Sequence, residues 1–249
     1  MNTPESRALA SETYPTVQRR AAGAVLVAAA AIFFLAELIA AAAWTDPPYS
    51  YTYHYISNLG VRGPSEALGQ AMNSPLAWVM NTGFFLFGTM ALAGVVMLRG
   101  LRGWRRGAAL VPAAALAAGG VLLAFFPGSA EAMRDGTDAY HGLGAMAAIV
   151  GGNVLAIVLG RVYRLIGVPR KSARAMVLLG VFGLVSLVVF FAVAGSDANL
   201  IGLVERCAVY PLLIALALAG LSTMSTPAVR RRTVQEARSE RAAHRGATQ

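Results

Sequence analysis

Six long apolar runs govern what this 249-residue chain can fold into. They lie near residues 21–44, 76–97, 107–126, 141–162, 175–194 and 200–221. Each is long enough for a helix rising about 1.5 Å per residue to cross a hydrocarbon layer about 30 Å thick. The first run follows Arg19 and Arg20 and ends in alanines, as a secretory signal does. Its apolar stretch exceeds the roughly 7–15 residues of a signal h-region, and five more runs follow, so it reads as an uncleaved first span. Only 13% of residues are charged and 57% are hydrophobic, against about 25% charged in soluble domains. That composition excludes disorder and argues against a soluble globule. The expected fold class is all-α: a polytopic membrane protein, a bundle of six transmembrane helices.

The net charge of +9 is explained by where the basic residues fall. Of 21 Lys and Arg, 18 lie before the first run, between runs two and three, at the end of run four or between it and run five, or after the last. The other connections hold only Arg62 and Arg134, and Arg206 alone lies deep within a run. The positive-inside rule then places both termini in the cytoplasm, with the protein in the cell membrane. The expected organisation is a cytoplasmic segment 1–20, a transmembrane domain 21–222 with outward loops 45–75 and 127–140, and a basic cytoplasmic tail 223–249. The tail has no aromatic or motif support for nucleic-acid binding, so no nucleic acid is expected as a partner. Membrane lipid is. The single cysteine, Cys207, excludes an intrachain disulfide and a cysteine-based zinc site.

The outward loops carry most of the chemistry-bearing residues. Tyr49, Tyr51, Tyr53 and Tyr55 surround His54, and their simplest reading is an interfacial aromatic belt. Residues 64–66 are expected to start a short surface helix. The second outward loop brings Glu131, Asp135, Asp138 and His141. Within the runs, Glu37, Asn81, Glu205 and Arg206 all fall about 8–10 Å below the outward boundary at 1.5 Å per residue. Intramembrane polar groups usually face the bundle interior. These four are expected to floor an outward-opening binding pocket rimmed by His54, Ser57, Asn58, Asp138 and His141. Glu205 and Arg206 are sequence neighbours about 100° apart on a helix, so Arg206 is expected to pair with Glu37 instead. Glu205 is then left to be protonated, to bond Asn81 or a tyrosine, or to bind a ligand. Pro211 is expected to bend the sixth span.

A Ser–His–Asp site can be assembled from Ser57, His141 and Asp138 as catalytic residues, although no nucleophile-elbow motif accompanies them. No cofactor and no metal are expected. Were a metal bound, its ligands would come from His54, His141, Asp138 and Glu205, since only two histidines lie on that side. Asn153 is the only other deep polar residue, which is thin support for a transport pathway.

Several of these residues form a recognisable order: His54-Tyr55-Ile56-Ser57-Asn58-Leu59-Gly60 after the first run, Asn81 early in the second, Phe126-Pro127 closing the third, His141-Gly142 opening the fourth, and Gly202 with Glu205-Arg206 in the sixth. In this the chain resembles the bacterial and archaeal six-helix membrane proteins grouped as domain-of-unknown-function family 998, over nearly all of residues 20–222. The resemblance implies the six-span fold and its topology and carries no activity. The family's position after Ser57 is often acidic, and Asn58 stands there in this chain. The expected function is binding of a lipid or envelope component at the outward face, in an accessory or sensor role. The alternative is a hydrolase or transferase acting on a lipid-linked substrate at the outer leaflet, and small-solute transport comes third.

Overall fold

A computed structural model describes residues 4–194 and 199–225, with side chains described from Gln18 onward. Six helices are long and apolar enough to cross a membrane: α1 (Pro4–Ala43, apolar from Gln18), α2 (Ala77–Met97), α3 (Trp104–Phe125), α5 (Asp138–Arg161), α7 (Arg170–Ala194) and α8 (Ile201–Ser225). The short α4 (Ala130–Asp135) and α6 (Tyr163–Ile166) sit in connections. The all-α polytopic architecture stands. Helix α1 begins well inside the expected N-terminal segment, at Pro4. Most of the expected tail, from residue 226, lies outside the described residues. Pro211 does not interrupt α8.

The spans pack as a closed ring in chain order, α1 to α2, α3, α5, α7, α8 and back to α1, with α5 also touching α8 across the middle. In lipid there is no hydrophobic drive between helices, so close approach of small residues supplies the contact energy. The seam between the first and last helices shows how tight this is. A Cβ added to Gly23 would lie 2.6 Å from the carbonyl oxygen of Gly220 and 2.8 Å from Met224 Cγ. Helices α5 and α7 approach closely from one end as far as mid-span. There Gly160 would meet the Ala173 carbonyl oxygen at 2.7 Å and Gly180 the Asn153 carbonyl oxygen at 2.6 Å. Towards the other end the facing residues are Met146, Ile149, Leu187, Phe190 and Phe191, and the two helices leave a groove between them. We call that end, which carries connections 45–75 and 127–140, the loop end, and the opposite one the arginine end.

The surface helix expected from residues 64–66 is instead a hairpin. β1 (Ser65–Ala67) pairs antiparallel with β2 (Gln70–Met72), Glu66 opposite Ala71. Leu68 and Gly69 turn the chain at φ 52° and 70°. Two successive positive-φ residues match the twist of a two-residue hairpin, and glycine at the second makes the turn accessible. Period-two alternation then buries Ala67, Gln70 and Met72. The loop-end helix forms later, as α4, where Ser129 Oγ accepts from the Ala132 N–H at 3.2 Å and Gly136 ends the turn at φ 83°. The Ala130 N–H donates to Ser65 Oγ at 2.9 Å, tying the two loops together.

Candidate functional site

The polar residues of the loop end do not share one pocket. They separate into a sealed latch, an open cleft and a side cavity.

The latch centres on Arg206 of α8, which is 4% exposed. Its Nη2 lies 2.9 Å from Glu37 Oε1 of α1, and its Nε donates to the same oxygen at 3.1 Å. Its Nη1 donates to the carbonyl oxygens of Tyr51 at 2.7 Å, Gly202 at 2.9 Å and His54 at 3.1 Å. Nη2 also donates to the Tyr49 hydroxyl. All five guanidinium N–H groups are therefore occupied, which is what a buried arginine needs to offset its lost hydration. Tyr210, one turn along α8, donates its hydroxyl to Glu37 Oε1 at 3.0 Å and lies 3.1 Å from Oε2. The Tyr51 ring covers the guanidinium carbon at 4.8 Å from its centroid. The expected Glu37–Arg206 pair is thus found, and it joins the first span, the last span and the first loop.

His54 belongs to the wall of this latch and not to an open rim. Its ring stacks on Tyr49 at 5.2 Å and lies 5.1 Å from Trp44, and its Nδ1 accepts the Ser50 N–H at 2.9 Å. Burial lowers its pKa below the ordinary value, and the Arg206 charge pushes the same way. The tyrosines read as a belt are for the most part tied into the loop. Tyr49 donates to the Tyr55 carbonyl at 3.0 Å, with burial pushing its hydroxyl far above the usual tyrosine range, and Tyr53 donates to the Gly69 carbonyl at 2.9 Å. Gly202 makes the arrangement possible. A Cβ there would run into the His54 carbonyl oxygen and lie 3.0 Å from the Tyr51 oxygen, the two acceptors Arg206 needs.

The open cleft lies on the other side of α8. Ser57, His141, Ala145, Ile149 and Glu205 line both a small inner chamber of about 60 Å³ and a groove of about 690 Å³ between α5, α7 and the first loop. The inner chamber is otherwise apolar, walled by Phe33, Phe84, Phe87 and Leu116 among others, and has room for a few waters. Glu205 Oε2 accepts the Ile56 N–H from the 3₁₀ turn Ile56–Gly60 that also carries Ser57. Glu205 therefore bonds neither Asn81 nor a tyrosine in the described contacts. His141 Nδ1 lies 2.8 Å from the Phe126 carbonyl oxygen. A carbonyl only accepts, so Nδ1 carries the proton and Nε2 is the basic nitrogen. Asp138 lines the groove but not the inner chamber, and the ring nitrogen a triad carboxylate would hold is taken by Phe126. Asn58 also borders the groove, but its amide donates to Gln70 Oε1, and Gln70 Nε2 donates to the Tyr53 carbonyl at 2.6 Å.

Asn81 stands apart from both. Its Nδ2 donates to the Gly60 carbonyl at 3.0 Å, and it borders a separate cavity of about 520 Å³ with Arg62, Trp78 and Glu131. Asn153, the one polar residue that hinted at transport, is a helix clip: its Nδ2 donates to the Ile149 and Ala208 carbonyls, each at 2.9 Å. Among the described residues no three His, Cys, Asp or Glu side chains group closely enough to hold a metal, so His54, His141, Asp138 and Glu205 do not form a ligand set. The sequence reading missed Tyr210 and Gln70. A tyrosine four residues beyond a buried arginine was the available signal for the first, and nothing local marked the second.

A six-span helical ring, latched at one end by a buried arginine and cleft beside the latch, defines the class: a polytopic membrane protein. Within that class the chain belongs to the family described as "Protein of unknown function (DUF998)", which matches residues 27–222. Both the latch and the cleft fall inside the match. No curated protein and no solved structure matches the chain.

Proposed function

We propose that this protein sits in the cell membrane with both termini in the cytoplasm and holds an amphiphile in its outward cleft, in an accessory or sensor role. The polar end of the ligand rests against Ser57, His141 and Glu205, and its chain leaves between α5 and α7. The observation that supports this is the make-up of the groove: a polar floor at one side, and an apolar wall that includes Phe191, 58% exposed where lipid would lie. The orientation rests on the arginine asymmetry.

The charges narrow the ligand. Among the described residues, those lining chamber and groove include Glu205 and Asp138 but no lysine or arginine, and Arg206 is fully engaged elsewhere. A phosphate or carboxylate head would meet carboxylates with no cation. A head that donates hydrogen bonds, as a polyol or an amine does, would meet acceptors. Native mass spectrometry of the purified chain with monooleoylglycerol, oleylamine and oleate tests this. The first two should be retained, and oleate should not. Ala145→Trp, which fills the wall shared by chamber and groove, should abolish retention. Equal retention of oleate, or undiminished retention by Ala145→Trp, overturns the reading.

A second reading, hydrolysis or transfer on a lipid-linked substrate, is favoured by one observation: Ser57 and His141 line the same chamber, and His141 has Nε2 as its base nitrogen. Covalent labelling of Ser57 by a fluorophosphonate, lost in His141→Gln, would support it. No labelling of Ser57 would remove it.

A further inference from the structure

At the arginine end, away from the cleft, α5, α6 and α7 border an open cavity of about 570 Å³ lined by Arg161, Tyr163, Arg170, Arg174, Gly160, Ala173, Val177 and Leu178. We propose that this cavity binds the phosphate of an anionic phospholipid, with an acyl chain lying along Val177 and Leu178.

Three features of the cavity converge on that ligand. The first is uncompensated charge. Three arginines from two helices face one space, and the only salt bridge among the described residues is Arg206 with Glu37. Every acidic side chain described from Gln18 onward lies towards the loop end: Glu37, Asp46, Glu66, Glu131, Asp135, Asp138 and Glu205. Among the described side chains no carboxylate pairs with these arginines. The second is donor geometry. Arg170 opens α7, a helix of 25 residues, so the unpaired N–H groups of its first turn add a positive field beside the guanidinium groups. The Tyr163 hydroxyl accepts from Arg164 Nε at 3.0 Å and so keeps its own proton to donate. The third is amphiphilic shape. Leu178 is 70% exposed and lies eight residues, about 12 Å, further into the span than Arg170, where a lipid chain would run. Gly160 lets α7 close against α5 as the floor, the Val177 Cγ2 standing 2.7 Å from where a Cβ would be. Basic pockets between helices at this depth suit phosphate headgroups, and arginine suits them better than lysine because its fork is bidentate.

The test uses the full chain, purified in a neutral detergent at physiological ionic strength. Its melting is followed with added dioleoylphosphatidylglycerol, dioleoylphosphatidylcholine or inorganic phosphate. The anionic lipid should stabilise saturably, and the zwitterionic lipid should not. The triple variant Arg161→Gln, Arg170→Gln, Arg174→Gln keeps Arg164 and Lys171 for topology. It should melt like the parent without lipid and lose roughly a hundredfold in apparent affinity for the anionic lipid. A control triple variant, Arg102→Gln, Arg105→Gln, Arg106→Gln, removes equal charge from the same end and should bind like the parent. Equal weakening by both variants would mean diffuse surface charge and overturns the site. Stabilisation by inorganic phosphate alone at matching concentration overturns the lipid assignment, and so does an equal response to the zwitterionic lipid.

Discussion

Arg206 and Glu37 stand 2.9 Å apart although 169 residues separate them along the chain. Their pair closes the ring of spans where its two ends meet, and the Tyr51 and His54 carbonyls on Arg206 fasten the first loop to the same point. Breaking one side of such a pair leaves a charge buried without a partner.

Arg206→Ala should therefore destabilise by about 3–5 kcal/mol, read as a lowered melting temperature in detergent. Adding Glu37→Gln should recover part of the loss, because the neutral amide can still bond Tyr210. Arg206→Lys should not substitute, since three N–H donors cannot serve the five acceptor atoms the guanidinium reaches. A mutant that melts like the parent would show the pair to be unimportant for stability.

Gly202 and Gly142 give a paired comparison, both lying within helices. Gly202→Ala presses on the His54 and Tyr51 carbonyls and should cost about 1–3 kcal/mol through overpacking. A Cβ at Gly142 meets nothing within 4 Å, so Gly142→Ala should be neutral or up to about 1 kcal/mol stabilising. Equal melting shifts would contradict the close approach at Gly202.

His54 should make stability depend on pH. Its folded pKa is lowered, burial being the larger cause and Arg206 the smaller. As pH falls through about 6.5 the unfolded chain takes up the proton before the folded one does. Stability held above that pH is then lost below it. Melting temperatures at about pH 7.5 and 5.5 should differ in the parent, and less so in His54→Gln. An unchanged difference would exclude His54 as the source.

Asn153→Ala removes two bonds to carbonyls, one of them across to α8. Interhelical bonds in membranes average about 0.6 kcal/mol and reach about 1.7, so a loss in that range is expected in a denaturant titration. A loss beyond about 3 kcal/mol would mean Asn153 does more than clip helices.

Orientation can be read with reporters. A C-terminal green fluorescent protein should fluoresce, and alkaline phosphatase inserted after Gly136 should be active, if the arginine end faces the cytoplasm. The reverse pattern would invert every outward assignment made for the cleft.

The spans were legible because eighteen or more apolar residues admit few other fates. The latch was legible because Arg206 is the lone basic residue away from the ends of the spans and Glu37 the acid at its depth on another span. The hairpin at 65–72 was not, since strands of three residues are too short to display alternation against a helical reading. Nor were the opposite fates of the two loop-end histidines. One is packed among aromatic rings and the other borders a cleft, and only tertiary contact separates them. Four polar residues at one depth suggested one pocket. Depth is fixed by the 1.5 Å rise, but direction around each helix sent Glu205 one way and Arg206 another.

The latch also sets a timetable for biogenesis. Glu37 enters the bilayer in the first span and meets its cation only when the last is made, 169 residues later. At roughly 5–20 residues per second of synthesis that interval is about ten to thirty seconds. During it the nascent chain holds an intramembrane acid without its partner, and any product truncated before α8 keeps that defect permanently. Surveillance proteases that detect unpaired polar groups in membranes would thus distinguish finished chains from unfinished ones by whether the ring has closed.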